Sequence, residues 1–295
     1  MSNALDMIRG AQEYEYASVR AFWQAMIGHL RGKPAQLLSF EEVRTRLRLR
    51  EELYRGLQDI PLQAIVGSVG RYTDFTSTFL PKSAINKERW TRIYAEAEGK
   101  MGLPPIEVYQ VGEVYFVRDG NHRVSVALAM GQKTIEAYVT EVDVPFCLNK
   151  TVVTKQMDAA EAYMTFLDET GLRYVQQHED LMLSEPTRYN DFIGHINLHG
   201  AVLSDCEECP VSTQEAATHW HENVYVPVVT LIRKHNMLAH MKGRTEADMY
   251  LWLVEHLCEL ERSYNGLVSD LTPALTSFLS KHRLPVPDEL ETLAI

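Results

Sequence analysis

Pro105-Ile-Glu-Val-Tyr-Gln-Val-Gly-Glu-Val-Tyr-Phe-Val-Arg-Asp-Gly-Asn-His-Arg-Val-Ser-Val-Ala-Leu-Ala-Met-Gly-Gln-Lys-Thr-Ile-Glu-Ala-Tyr-Val-Thr140 is the stretch on which the fold turns. Two short apolar runs, 106–111 and 114–117, flank Gly112 and are rich in β-branched and aromatic residues, so they read as a hairpin. Asp119-Gly120-Asn121-His122-Arg123 follows, and then a compact apolar helix over 124–130 that Gly131 stops. A third run, 135–139, reads as another strand. Chemically versatile side chains cluster at the turn from strand to helix.

A helix N-terminus presents unpaired backbone N–H groups and the positive end of the dipole. Gly120 lets an anion approach the backbone, and Arg123 adds a planar, permanently charged fork suited to phosphate or carboxylate. His122 can carry a proton or donate a hydrogen bond. Asp119 or Asn121 can cap the helix, and a carboxylate at 119 could instead hold a metal or act as a base. The set describes an anion site, with phosphate the best match. Each member also has a plain structural reading as a cap, a satisfied core histidine or an ion-pair partner.

Upstream, residues 60–71 are apolar and interrupted by Gly67 and Gly70, which reads as a short strand entering a glycine-rich loop. The loop continues to Pro81, dense in hydroxyls, and supplies Arg71, Thr73 and Asp74. It is either a ligand loop or a structural connection. Residues 86–99 return to a helix. Further back, Ile8, Ala11, Val19, Phe22, Trp23, Met26, Ile27 and Leu30 recur at threes and fours, marking a long amphipathic helix over 4–31 that Gly32-Lys33-Pro34 ends. That face must lie on the next domain or on a partner chain. Ser39-Phe40-Glu41-Glu42 opens a second helix, expected to run to about Tyr54, with Arg44, Arg46, Arg48, Arg50 and Arg55 as its solvated, ion-paired face.

The remainder reads as mostly helical. Ala160, Tyr163, Met164 and Leu167 share one face of a helix over 158–170, and another helix covers 186–199. Ser212-Thr213-Gln214-Glu215 is a capping box opening a helix that Pro227 kinks or divides. Thr245-Glu246-Ala247-Asp248 repeats the cap before 249–264, and a last helix covers 272–281. Cys206 and Cys209 with His219 and His221 are a weak zinc motif, because the two histidines point apart on a helix. His195 and His199 share a face but lack the glutamate of a metalloprotease helix, and Trp220, Tyr225, Tyr250 and Trp252 read as packing residues.

At 295 residues, 45% apolar and 23% charged, the chain is long enough for about two domains of ordinary globular composition. Four scattered cysteines do not make a disulfide scaffold. No apolar run approaches the roughly 20 residues of a membrane span, and no signal peptide is visible, so the expected location is the cytoplasm. A net charge of −11 argues against nucleic acid as the main partner, since phosphate neutralisation supplies most of that affinity.

Val117-Arg118-Asp119-Gly120-Asn121-His122-Arg123-Val124-Ser125-Val126-Ala127 resembles the signature of the ParB/sulfiredoxin-like superfamily, and Ile60-Pro61-Leu62-Gln63-Ala64-Ile65 is similar to the strand that opens that domain. The resemblance covers about 59–142. It implies a small mixed-sheet α+β domain whose Gly-x-x-Arg turn binds nucleotide phosphates. Sulfiredoxins carry a reactive cysteine directly before the His-Arg pair, where this chain has Asn121. Partition proteins continue into a basic helix-turn-helix, and the following region here is not basic. Free-serine kinases of the superfamily carry Asp-Gly-x-His-Arg, which 119–123 matches; their acidic residue near the first strand would correspond to Glu41, Glu42 or Asp74. The C-terminal part resembles bacterial proteins that join this domain to a helical region.

The expected architecture is therefore α+β: a helical segment over 1–58, a ParB/sulfiredoxin-like domain over 59–145 and a helical domain over 146–295. The expected function is binding of a nucleotide or other phosphate ligand, with Mg²⁺ as its companion ion, extending to phosphoryl transfer or nucleotide hydrolysis. His122, Asp119 and Asp74 are the candidate catalytic residues, and Gly120, Asn121, His122, Arg123, Gly70, Arg71 and Thr73 the candidate ligand-binding ones. Two alternatives stay open: a non-catalytic scaffolding homodimer joined through amphipathic helices, and a ParB-like nuclease or DNA-associated protein.

Overall fold

The computed structural model describes residues 2–30, 36–82, 87–99, 102–175, 181–264 and 271–281. The chain divides into two compact units, Met1–Lys155 and Gln156–Ile295. The architecture is α+β, with a six-stranded mixed sheet and a majority of helices. No described helix is long and apolar enough to cross a membrane.

The first unit runs α1 (Ser2–Leu30), β1 (Leu38–Ser39), α2 (Phe40–Arg46), β2 (Glu52–Pro61), β3 (Ile65–Ser68), α3 (Lys87–Ala97), β4 (Ile106–Val111), β5 (Val114–Asp119), α4 (Asn121–Ala129), β6 (Thr134–Val142) and α5 (Lys150–Lys155). The sheet order is β1-β3-β5-β4-β6-β2. β4 and β5 form the expected hairpin, β3 lies parallel to β5, and β6 lies parallel to β4. Alternation does what a half-buried strand requires: Ile135, Ala137 and Val139 of β6 face the core with Ile106, Val108, Val117, Val124 and Ala127.

The second helix is shorter than the sequence suggests. Ser39 caps it, its Oγ accepting from Glu42 N at 3.4 Å, but it stops at Arg46, and Arg48 takes a positive φ of 50°. The chain then extends as β2, which pairs antiparallel with β6 from Glu52–Val142 to Pro61–Thr134. A long ladder outweighs the intrinsic helical preference of a Leu/Arg/Glu stretch, as tertiary context readily overrides propensity. The arginines consequently pair across the fold rather than along a helix: Arg44 with Glu52 at 3.2 Å and Arg55 with Glu141 at 2.5 Å.

α1 is present, but its inner face is not the one its large apolar residues mark. Gly10, Tyr14, Ala17 and Ala21 are buried, with Gly10 and Tyr14 against α3, whereas Ile8, Val19, Phe22, Trp23, Met26 and Ile27 are 39–64% exposed. Gly10 explains the choice: a Cβ there would lie 3.2 Å from both Thr91 O and Tyr94 Cβ, so the glycine lets the two helices close up. Small residues permit a near approach that Phe and Trp forbid. The Gly32-Lys33-Pro34 stop lies outside the described residues.

A second cluster, Tyr14, Trp90, Tyr94 and Val126, joins α1, α3 and α4. Trp90 is its centre, edge-on to Tyr14 and stacked on Tyr94, and its Nε1–H donates to Ser125 Oγ at 2.9 Å. Because a buried indole N–H without an acceptor is costly, this bond fixes where α3 lies on α4.

The second unit holds α6 (Met157–Thr170), α7 (Tyr189–Glu207), α8 (Thr213–Trp220), α9 (Val226–Lys234), α10 (Glu246–Tyr264) and α11 (Leu271–Lys281). Ala160, Tyr163, Met164 and Leu167 are buried as expected. Phe192 sits among Phe166, Tyr189, Trp220, Tyr225 and Tyr250, with ring centroids 5.3–6.3 Å away. The Ser212–Glu215 capping box forms, and Thr245 and Asp248 cap α10 reciprocally. Pro227 divides α8 from α9: a π-helical turn, His221–Tyr225, precedes it.

Trp90→Phe keeps most of the packing but strands the Ser125 hydroxyl. Urea denaturation is expected to show a loss of about 1–3 kcal/mol. Adding Ser125→Ala is expected to restore part of it, because removing both partners leaves no orphan.

Candidate functional site

β5 ends at Arg118-Asp119 and the chain turns into α4 through Gly120, with φ 112° and ψ 20°. Only glycine takes that conformation readily. A Cβ would also lie 2.5 Å from Ile106 Cγ2 and 3.2 Å from Arg123 Cζ. The turn is therefore fixed by conformation and by space. α4 starts at once, three residues before the expected position, which places Asn121, His122 and Arg123 in its first turn. Neither Asp119 nor Asn121 caps it: no side chain accepts from its first N–H groups, and these point outward as a helix start dictates.

They open onto a cleft of about 260 Å³ lined by Gly70, Arg71, Arg89, Ile93, Arg118, Asp119, Gly120, Asn121, His122 and Arg123. Four arginines face one carboxylate. Arg123 is largely committed. Nη1 donates to Pro104 O at 3.2 Å and to Pro105 O, and Nη2 donates to Asp119. The residue that sequence marks as the phosphate clamp thus braces the turn, and the candidate base or metal ligand at 119 is its counter-ion. Arg118 lies 3.8 Å from Glu107 and over the Tyr109 ring. Among the described residues neither Arg71 nor Arg89 forms an ion pair, and both act electrostatically on His122. Arg89 was not singled out by sequence. The available signal was its place beside Trp90 on the amphipathic helix that covers the turn.

Asn121 clips the site to the sheet. Its Nδ2 donates to Ser68 Oγ at 3.0 Å and Gly70 O at 3.2 Å. The Ser68 hydroxyl lies within reach of Gly70 O at 2.5 Å and Val117 O at 3.0 Å and can donate to one at a time. Asn121 Oδ1 is buried without a partner.

His122 is 4% exposed, edge-on to Phe75 at 5.3 Å, and neither ring nitrogen has a hydrogen-bond partner. Its pKa is pushed down to about 4, first by burial and then by Arg89 and Arg71, with Asp74 opposing. At neutral pH it is an uncharged imidazole offering one N–H and one lone pair.

The hydroxyl-rich loop contributes less than its composition suggests. Gly70 and Arg71 reach the cleft, but Thr73 and Asp74 are not among its lining residues. The buried Thr76 hydroxyl accepts from Thr78 N and Leu80 N, and Thr78 donates to Gln24, so these groups close the loop on itself and on α1. In the second unit, His199 Nε2 faces His219 Nδ1 at 2.7 Å, His221 is buried against Tyr225, and Cys206 and Cys209 are exposed. Among the described residues no three His, Cys, Asp or Glu side chains gather as a metal-binding group. Asp119 is tied to Arg123, and Asp74 is not among the residues lining the cleft.

A comparison with protein-family models finds no match, and a search of curated proteins finds no matching sequence.

The His122 shift has a testable sign. Unfolded, the imidazole titrates near 6.5; folded, near 4. Between those values the unfolded chain holds more protons, so stability is lost as pH falls from about 6.5 to about 4, by on the order of 3 kcal/mol at the acid end. Urea midpoints across that window are expected to drop less steeply in His122→Phe, which keeps a ring against Phe75. Equal slopes in the two proteins would assign the loss to other groups.

Proposed function

We propose that the protein binds a phosphate-bearing ligand, a nucleotide or a smaller phosphorylated molecule, at the start of α4. One observation carries the reading: a helix start with glycine at its N-cap opens onto a cleft in which, among the described residues, Arg71 and Arg89 form no ion pair and the buried His122 ring makes no hydrogen bond. Backbone N–H groups and the helix dipole suit an anion, and guanidinium forks suit its oxygens. The Asn121 and His122 atoms left without partners can meet a hydroxyl or amino group of the ligand or a protonated phosphate oxygen.

The α+β unit with its mixed sheet and strand–Gly–helix turn supports the ParB/sulfiredoxin-like resemblance of 59–142, and with it the nucleotide as first choice. The cleft, about 260 Å³, falls below the usual range for drug-sized ligands and suits a phosphate group with its nearest atoms, so a base and sugar would extend outward. Roles divide accordingly. Arg71 and Arg89 neutralise the phosphate, the first N–H groups of α4 orient it, and His122 exchanges a hydrogen bond with it. Arg123 and Asp119 hold the turn in shape. With Asp119 bonded to Arg123 and Asp74 outside the cleft lining, the site is a binding site first.

Isothermal calorimetry with ATP, ADP, CTP and inorganic phosphate at low salt tests this. Arg71→Ala and Arg89→Ala are each expected to weaken binding by about tenfold or more, the equivalent of one charge-assisted hydrogen bond. Their melting temperatures are expected to stay near wild type, whereas Arg123→Ala is expected to lower both affinity and stability. Absence of saturable binding by the wild-type protein would overturn the proposal.

A further inference from the structure

The face of α1 turned away from α3 has no packing role in the fold described above. Leu5, Ile8, Val19, Phe22, Trp23 and Met26 on that face are 39–68% exposed. With Gln12 and Glu15 they fall at 5, 8, 12, 15, 19, 22 and 26, spacings of three and four in strict alternation. That is the a/d seam of a coiled coil, with Trp23 flanking it. The buried face, Gly10, Tyr14, Ala17 and Ala21, lies on the opposite side of the helix. A solvent-facing surface helix has no need of such a seam, and contiguous apolar patches of this kind mark interaction sites.

We propose that this seam is a homodimer interface in which α1 pairs antiparallel with α1 of a second copy of the chain. Charge sets the direction. Asp6, Glu13 and Glu15 outnumber Arg9 in the first half of the helix, and Arg20 is the charged residue over 16–27. A parallel pair would set the two Glu15 carboxylates against each other in the seam, and like charges at such a contact repel. The antiparallel pair sets Ile8 against the partner's Met26, Gln12 against the partner's Phe22, and Glu15 against the partner's Val19 beside the partner's Arg20. Glu15 already holds an ion pair with Lys87, so its charge is compensated where the seam closes. A two-fold axis near residue 17 makes the contact self-complementary. The helix, 29 residues and about 43 Å long, offers around three heptads of seam. A membrane surface is the poorer occupant, because interfacial helices carry lysine and arginine on the polar face, whereas acids outnumber bases on α1.

Sedimentation of the full chain at micromolar concentration tests the interface. The wild type is expected to be a dimer and Val19→Glu/Phe22→Glu a monomer with an unchanged circular-dichroism spectrum, since both side chains are exposed. Direction is read in a background with Cys147, Cys206, Cys209 and Cys258 replaced by serine. There Ile8→Cys/Met26→Cys is expected to give disulfide-linked dimers and Ile8→Cys alone none. A monomeric wild type, a double variant that remains dimeric, efficient cross-linking of Ile8→Cys alone, or capture of a monomeric wild type by anionic vesicles would each overturn the proposal. The substitutions lie outside the arginine-lined cleft, so failure here and failure of phosphate binding are separately readable.

Discussion

Gly120 is the residue at which the first unit has no alternative. Its φ of 112° and the 2.5 Å approach of Ile106 Cγ2 leave no room for a side chain, and the abrupt start of α4 follows from both. That start sends Asn121 toward the end of β3, buries His122 against Phe75, and folds Arg123 back over Pro104 and Pro105. Arg123 satisfies two carbonyls and the Asp119 carboxylate there, which removes the one acid of the cleft as a competitor for Arg71 and Arg89. The orphaned nitrogens of His122 are the counterweight. A buried polar group without a partner costs about 1–3 kcal/mol, an arrangement that persists where the surrounding packing over-determines it. Phe75 and the core cluster it belongs to supply that packing.

Much of this was legible. The hairpin, the glycine turn, the short apolar helix and the strand after it were written in period-two alternation and in one Asp-Gly-Asn-His-Arg run. What the sequence did not disclose lies in choices that depend on distant partners. Residues 52–54 read as the end of a helix because nothing local announces that 134–142 will offer them a ladder. α1 was readable as an amphipathic helix, but which face turns inward was set by Gly10 fitting closely on α3, a matter of backbone distance rather than hydrophobicity. Arg89 lines the cleft through the placement of α3, and Arg123 donates to two proline carbonyls that lie within its reach. Side-chain chemistry was visible in the sequence; which donors were already spent was not.

The second unit was more transparent because its signals are local. Capping boxes act over three residues, and Ser212–Glu215 and Thr245–Asp248 formed as written. The aromatic residues read as packing groups gather around Phe192, with Trp220 Nε1–H donating to the Tyr250 hydroxyl at 3.2 Å. The contact that escaped notice, His199 to His219, joins two helices across 20 residues, and no periodicity encodes it.

The Asn121 clip has a consequence for folding. It ties Ser68 to a residue 53 positions later, and the Trp90–Ser125 bond spans 35 more that overlap it. Contacts this far apart close large loops and belong late in assembly. The cleft therefore exists only when β3, β5, α3 and α4 have all docked, and no partly folded form presents it. Any molecule that occupies it selects the complete unit over every intermediate and raises its melting point in step with free concentration. Occupancy of the cleft and integrity of the sheet are thus linked free energies.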